Sequence, residues 1–183
     1  MTRLRTPTPE AMSEAQRAVH DEAVAGRRGR MPAPMRAWIE SPELARHAQR
    51  LGAFLRYETS LPARLSELAI LVTARRWTSH YEWYAHRGEA LNAGLAPAVI
   101  EAIAGRRRPV FADEPTQVVH DYALTLHETA RIPADLHAAA VAALGTRGTV
   151  ELTALIGYYT LVAMTLNAFE IDLPEGVAAE LQP

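Results

Sequence analysis

The sequence predicts an all-α, single-domain protein, and three observations carry that expectation. Alanine makes up about a fifth of the 183 residues, and it is the best helix former. Stretches of Val, Ile or Thr in strict alternation, the mark of half-buried strands, are missing. Prolines and glycines fall at intervals that leave segments of helical length between them. A first helix is expected over Glu10–Ala25, followed by a basic loop from Gly26 to Pro34. Ser41-Pro42-Glu43 offers a cap and a proline at the first helical position, opening a helix to Tyr57 with Leu44, Ala48, Leu51 and Leu55 on one stripe. Pro62 opens a helix to Trp77 whose middle, Leu68 to Ala74, is apolar all round and therefore central. Further helices are expected over Ser79–Gly94, Pro97–Gly105, Pro115–Ala130, Pro133–Leu144 and Thr149–Phe169, eight or nine in all. Residues 1–25 read as an N-terminal helical extension, and 174–183 as a loosely held tail.

Composition narrows the chemistry before any motif is considered. There are no cysteines, which removes disulfides, thiolate metal sites and thiol-based catalysis. All nineteen basic residues are arginines, so lysine Schiff bases and the phosphate-loop lysine are excluded as well. A net charge of −2 and a pI near 6.4 give no support for a nucleic-acid partner. The N-terminal arginines precede no apolar run, so no signal peptide is expected there. Leu152 to Phe169 carries Tyr158, Tyr159, Thr165 and Asn167, which suits a buried helix better than a membrane span. A cytoplasmic location is the resulting expectation.

The densest polar and aromatic cluster runs from Trp77 to His86. Glu82 and His86 are four apart and share a helix face, a spacing that suits a general acid/base pair. The same Glu82 can close a capping box with Ser79, or form a solvated ion pair. Glu67 lies deep in its helix on the face of Ile70, Leu71 and Ala74, where a carboxylate must be paired, neutralised or functional. Its ordinary partner would be Arg64, three residues earlier. Glu67, Glu82 and His86 are metal-ligand types, but no two-histidine motif accompanies them, so neither metal nor cofactor is expected. The remaining histidines, His20, His47, His120, His127 and His137, show no mutual spacing of interest and read as surface residues.

Three blocks in order resemble the carboxymuconolactone decarboxylase family, whose superfamily includes the alkylhydroperoxidase D-like proteins. They are Leu61 to Leu71, Tyr81 to His86, and Gly157 to Phe169, and the similarity spans about Gly26 to Gly176. The resemblance implies a helical fold of the alkylhydroperoxidase D type and a homo-oligomer, trimer, hexamer or dimer. The peroxidase branch uses Glu-x11-Cys-x2-Cys-x3-His; laid on this chain, its glutamate falls on Glu67, its histidine on His86, and its cysteines on Ser79 and Glu82. A thiol peroxidase is thereby excluded. The expected function is that of a cofactor-independent, decarboxylase-like lyase acting on a small organic acid or lactone. Glu82 and His86 would handle the proton and Glu67 would orient His86. Tyr81 and Trp83 would wall the pocket, with Ser79 and Asn167 beside them, and Arg28 or Arg30 would hold a substrate carboxylate. The competing expectation is a non-catalytic helical oligomer that binds a ligand or acts as a scaffold.

Overall fold

The protein is described by a computed structural model that covers residues 2–27 and 29–182. Its architecture is all-helical, with no strand among the described residues. A single 3-10 turn at Pro9–Ala11 precedes α1 (Glu14–Ala25), α2 (Met35–Trp38), α3 (Pro42–Tyr57), α4 (Ala63–Arg76), α5 (His80–Asn92), α6 (Pro97–Ala104), α7 (Glu114–Thr129) and α8 (Ala134–Ala168). The centre is α4, which packs against α5, α6, α7 and α8. Every residue from Leu65 to Arg75 is buried, as the all-round apolar run of its middle requires.

Helix starts follow the sequence signals closely. Proline stands at or just before the first residue of α3, α4, α6 and α8 and at the second residue of α7, all within the first turn, where its missing N–H costs nothing. The first helix begins at Glu14 rather than Glu10, because Ser13 and Gln16 close a capping box there. At Ser41 the hydroxyl makes no cap bond, and the carbonyl alone accepts the first helical N–H, from Ala45. The two helices expected after Pro133 are both present within α8, separated by a kink at Gly145, which adopts φ 71° and ψ 167°, a conformation reserved for glycine. Short α2, inside a proline-rich segment, carries no periodic signal and was not expected.

Helix ends obey a rule that composition conceals. The chain leaves α4, α5, α6 and α8 through left-handed residues: Thr78, Gly94, Arg106 and Glu170. Each is part of the same paired hydrogen-bond motif; Thr78 N–H donates to the Arg75 carbonyl while Ser79 N–H donates to that of Ala74, at 3.1 and 2.8 Å. Only one of the four is glycine. α7 ends in the simpler left-handed turn at Ala130, whose N–H donates to the Leu126 carbonyl.

Two close approaches tie the outer elements down. Gly52 in α3 faces the hydroxyl end of Tyr158 from α8, and a Cβ at position 52 would collide with it. The tail, expected to be loose, is docked: Leu181 is buried, Glu180 accepts from Trp83 Nε1 at 3.1 Å and pairs with Arg87, and the Gln182 carbonyl accepts from Arg75. At the other end Arg3 N–H donates to the Phe169 carbonyl and its side chain pairs with Glu170. Helix α8 is long and apolar enough to cross a membrane, but 61% of its most apolar window is already buried within the protein, as a core helix requires.

A non-glycine residue in the left-handed region costs about 1–2 kcal/mol, and glycine returns part of that gain through its greater chain entropy. Ala130 has φ 58° and is exposed. Ala130→Gly should therefore stabilise the fold by about 0.5–1 kcal/mol, read as a higher denaturation midpoint with an unchanged slope.

Candidate active site

The site grows out of a polar group that α4 has to bury. Glu67 sits in the second turn of that helix, 7% exposed, with no access to bulk water. Its partner is not Arg64, which reaches away to Asp113 (2.9 Å) and Thr116. Instead Glu67 Oε2 lies 2.7 Å from Nδ1 of His86, which α5 presents from across the helix pair. A carboxylate at that distance makes Nδ1 the protonated nitrogen and leaves Nε2 with its lone pair. Tyr159 from α8 meets the imidazole edge-on, 4.9 Å between centroids, and holds the ring in place.

Glu82 lies one turn before His86 on α5 and is 2% exposed. The capping box does not form: Ser79 makes no side-chain cap bond, and Glu82 makes none to the backbone. Both Glu82 carboxyl oxygens are sealed from solvent without a hydrogen-bond partner among the described residues. Burial alone pushes this carboxyl well above its ordinary range, because nothing nearby stabilises its charge. Glu82 therefore keeps its proton to higher pH than an exposed glutamate does. The adjacent Glu67 and Glu82 are chemically unlike: one is held by an imidazole, the other by nothing.

Glu82 and His86 line one cavity of about 230 Å³. Its walls come from the loop after α1, the end of α3, the middle of α5 and the body of α8. Arg30 and Tyr81 line it, whereas Arg28 lies outside the described residues. Glu67 stands behind His86 and is not itself in the lining, and three further candidates fall elsewhere. Trp83 does not wall this cavity; its ring is buried in the core and its Nε1 is spent on Glu180. Ser79 is buried beneath the start of α5 and does not line the cavity. Asn167 caps the end of α4 by donating to the Trp77 carbonyl at 2.8 Å, beside a separate depression.

The lining also holds residues that the sequence did not single out for the site: Arg27, Arg56, Tyr57 and Glu89, with Tyr158 and Tyr159 from α8. Arg27 and Arg56 place their guanidiniums over the Tyr57 ring, at 4.6 and 5.6 Å from its centre. Burial works against the charge of Arg56, yet Tyr159, Glu67, Tyr57 and Glu89 together raise its pKa above the ordinary arginine value. It remains a fixed cation at the cavity wall. The signal for these residues is weak in sequence, since Arg56-Tyr57 and Tyr158-Tyr159 meet only through tertiary packing of α3 on α8.

Elsewhere two histidines expected at the surface are enclosed. His120 is 5% exposed with Nδ1 2.9 Å from Asp121, and half-buried His127 lies 3.0 Å from the Thr73 hydroxyl. Among the described residues no three His, Asp or Glu side chains are placed to share a metal ion. The cavity wall thus carries a buried carboxyl, an imidazole oriented by a second carboxylate and fixed positive charge, groups of the kind that transfer protons.

The sign of the Glu82 contribution to stability follows from its raised pKa. The folded state holds this proton more tightly than the unfolded state, so stability is fully present below the unfolded carboxyl value. It falls as pH rises above that value, by about 1.4 kcal/mol per pH unit until the folded carboxyl ionises. Glu82→Gln removes the term. Measured against the parent, the variant should gain in relative stability as pH rises above the ordinary carboxyl value, and show no such gain below it, in denaturant melts run at a series of pH values.

Comparison of the chain with models of known protein families, and with curated proteins, returned no match.

Proposed function

We propose that the protein is a cofactor-independent acid/base enzyme, a decarboxylase-like lyase acting on a small organic acid or lactone. One observation carries the reading. A buried, neutral carboxyl and an imidazole fixed by a second carboxylate line the same cavity. A protein that needed only to fold would gain by replacing Glu82 with an apolar residue, since its oxygens bond nothing. Groups whose environments push their proton affinities apart are the usual mark of an acid and a base assigned to separate tasks. The three blocks that resemble the carboxymuconolactone decarboxylase family support the same class.

In this reading the substrate carboxylate is held by Arg30 or Arg56 beside the tyrosines. Cleavage of the carbon–carbon bond to a second, β-activated carboxylate releases carbon dioxide and leaves the electron pair as an enolate. Glu82 delivers its proton to the carbanionic carbon and becomes a carboxylate, which is reprotonated from solvent through His86. Glu67 keeps His86 in the tautomer that can pass a proton at Nε2.

The test uses a panel of β-oxo acids and lactone carboxylic acids, with carbon dioxide release as the readout. His86→Asn and Glu82→Gln should each lower turnover by about 10²-fold or more, and a thiol-blocking reagent or a strong chelator should have no effect. In the parent kcat/KM should fall on the alkaline side as Glu82 loses its proton, and Glu82→Gln should lose that limb. Near-normal turnover in both variants would overturn the assignment.

We also propose that the protein self-associates. On α8 the residues Val150, Ala154, Gly157, Leu161 and Met164 are exposed, apolar and spaced by four and three, which suits packing against the same stripe of a second copy. Light scattering should return a mass above the 20.1 kDa protomer, and a double substitution Leu161→Glu with Met164→Glu should return the protomer mass.

A further inference from the structure

A second cavity, of about 390 Å³, lies between α4, the loop after α6 and α7, and shares no residue with the first. Five arginines line it: Arg75, Arg76, Arg106, Arg107 and Arg108. Guanidiniums so placed repel one another, and a solvated surface normally dilutes such a cluster with carboxylates. Here, among the described residues, Arg75, Arg76, Arg106 and Arg107 form no ion pair. Arg108 alone is neutralised, by two bonds to Asp121 at 2.9 and 2.8 Å, and Asp121 is shared with His120. Glu128 is the one carboxylate on the cavity wall.

Arg75 separates this cluster from an ordinary basic loop. The residue is 5% exposed, in the last turn of α4. Its Nη1 donates to the Thr78 hydroxyl at 3.0 Å and its Nη2 to the Gln182 carbonyl at 2.7 Å, both neutral acceptors, while Nε is sealed and bonds nothing. Burial, and secondarily the charge of Arg106, lower its pKa. Among the described residues this buried cation has no counter-charge, a costly arrangement, and an anion in the cavity supplies one. Val72, Ile103 and Leu124 give the same cavity an apolar side, which a bare inorganic ion would not use.

We propose that this cavity binds an organic phosphate monoester, its dianionic head among Arg76, Arg106 and Arg107 with Arg75 beneath, and its carbon body against Val72, Ile103 and Leu124. A phosphate's three terminal oxygens and double charge match several guanidiniums at once, whereas a single carboxylate would leave most of them unanswered.

The probe is phenyl phosphate, titrated calorimetrically into the full chain at physiological salt, with inorganic phosphate, benzoate and a single-stranded oligonucleotide as comparisons. Saturable one-to-one binding of phenyl phosphate is expected, tighter than that of inorganic phosphate or benzoate. Arg106→Gln with Arg107→Gln should weaken it by at least about tenfold, the scale of one lost charge-assisted contact. Both side chains are exposed, and circular dichroism should show the fold intact. Arg76→Gln, also exposed, serves if the double variant does not fold. Four results would overturn the proposal: no binding of phenyl phosphate, binding that the substitutions leave unchanged, inorganic phosphate binding as tightly, or an oligonucleotide binding more tightly with steep salt dependence.

Discussion

The constraint on which the structure depends is the burial of α4 on every face between its ends. Eleven consecutive residues, Leu65 to Arg75, have no face turned to water, so each polar side chain among them must find its partner inside the protein. Thr73 turns back to the Ala69 carbonyl and reaches His127. Glu67 takes His86, and Arg75 takes Thr78 and the backbone of the tail. Glu67 and Arg75 are eight residues apart, a rise of about 12 Å along one rigid helix. Arg75 lines the second cavity directly, whereas Glu67 reaches the first only through His86, so α4 forms the wall of one cavity and stands behind the wall of the other.

The acid/base cavity illustrates how local stability is given up where chemistry is wanted. Sealing Glu82 without partners raises the energy of its charged form and nothing in the fold offsets that. The neighbouring Glu67 shows that the fold is able to pair a buried carboxylate when it has an imidazole to offer. Among the described residues Glu82 is the one buried carboxyl with neither oxygen bonded, and Arg75 Nε, Ser79 Oγ and His80 Nδ1 are buried without a partner as well. Proteins concentrate such violations at the places where they work.

Much of this was legible in the sequence. Helix starts were readable where a proline opens them, but the expected start of α1 at Glu10 missed the capping box at Ser13. Helix ends fell within a residue or two of Tyr57, Trp77, Gly94, Gly105, Ala130 and Phe169; what stayed hidden is that the left-handed turns behind them sit on Thr78, Arg106 and Glu170 rather than on glycine. Gly145 marks the break between the two helices expected after Pro133, and the break takes this single residue rather than the whole stretch 145–148. Glu67 stood out as a carboxylate on an apolar face, and the spacing of Glu82 and His86 placed them together. Arg56, Tyr57 and Tyr159 did not stand out, because what brings them to the cavity is the packing of α3 on α8, which no local pattern encodes. Trp83 and Asn167 look like pocket residues by type, but both are spent on the protein's own structure.

The contact between Gly52 and Tyr158 has a consequence on the timescale of evolution. The glycine weakens α3 from within, by about 1 kcal/mol relative to alanine, yet the tyrosine hydroxyl occupies the space where any side chain would start. Neither residue is able to drift alone: a larger residue at 52 meets the ring first, and a shorter one at 158 leaves a hole beside the cavity. The two positions should therefore change together or not at all, so that sequences descended from this one keep glycine with tyrosine. Where a side chain has appeared at position 52, they should carry a smaller residue at 158.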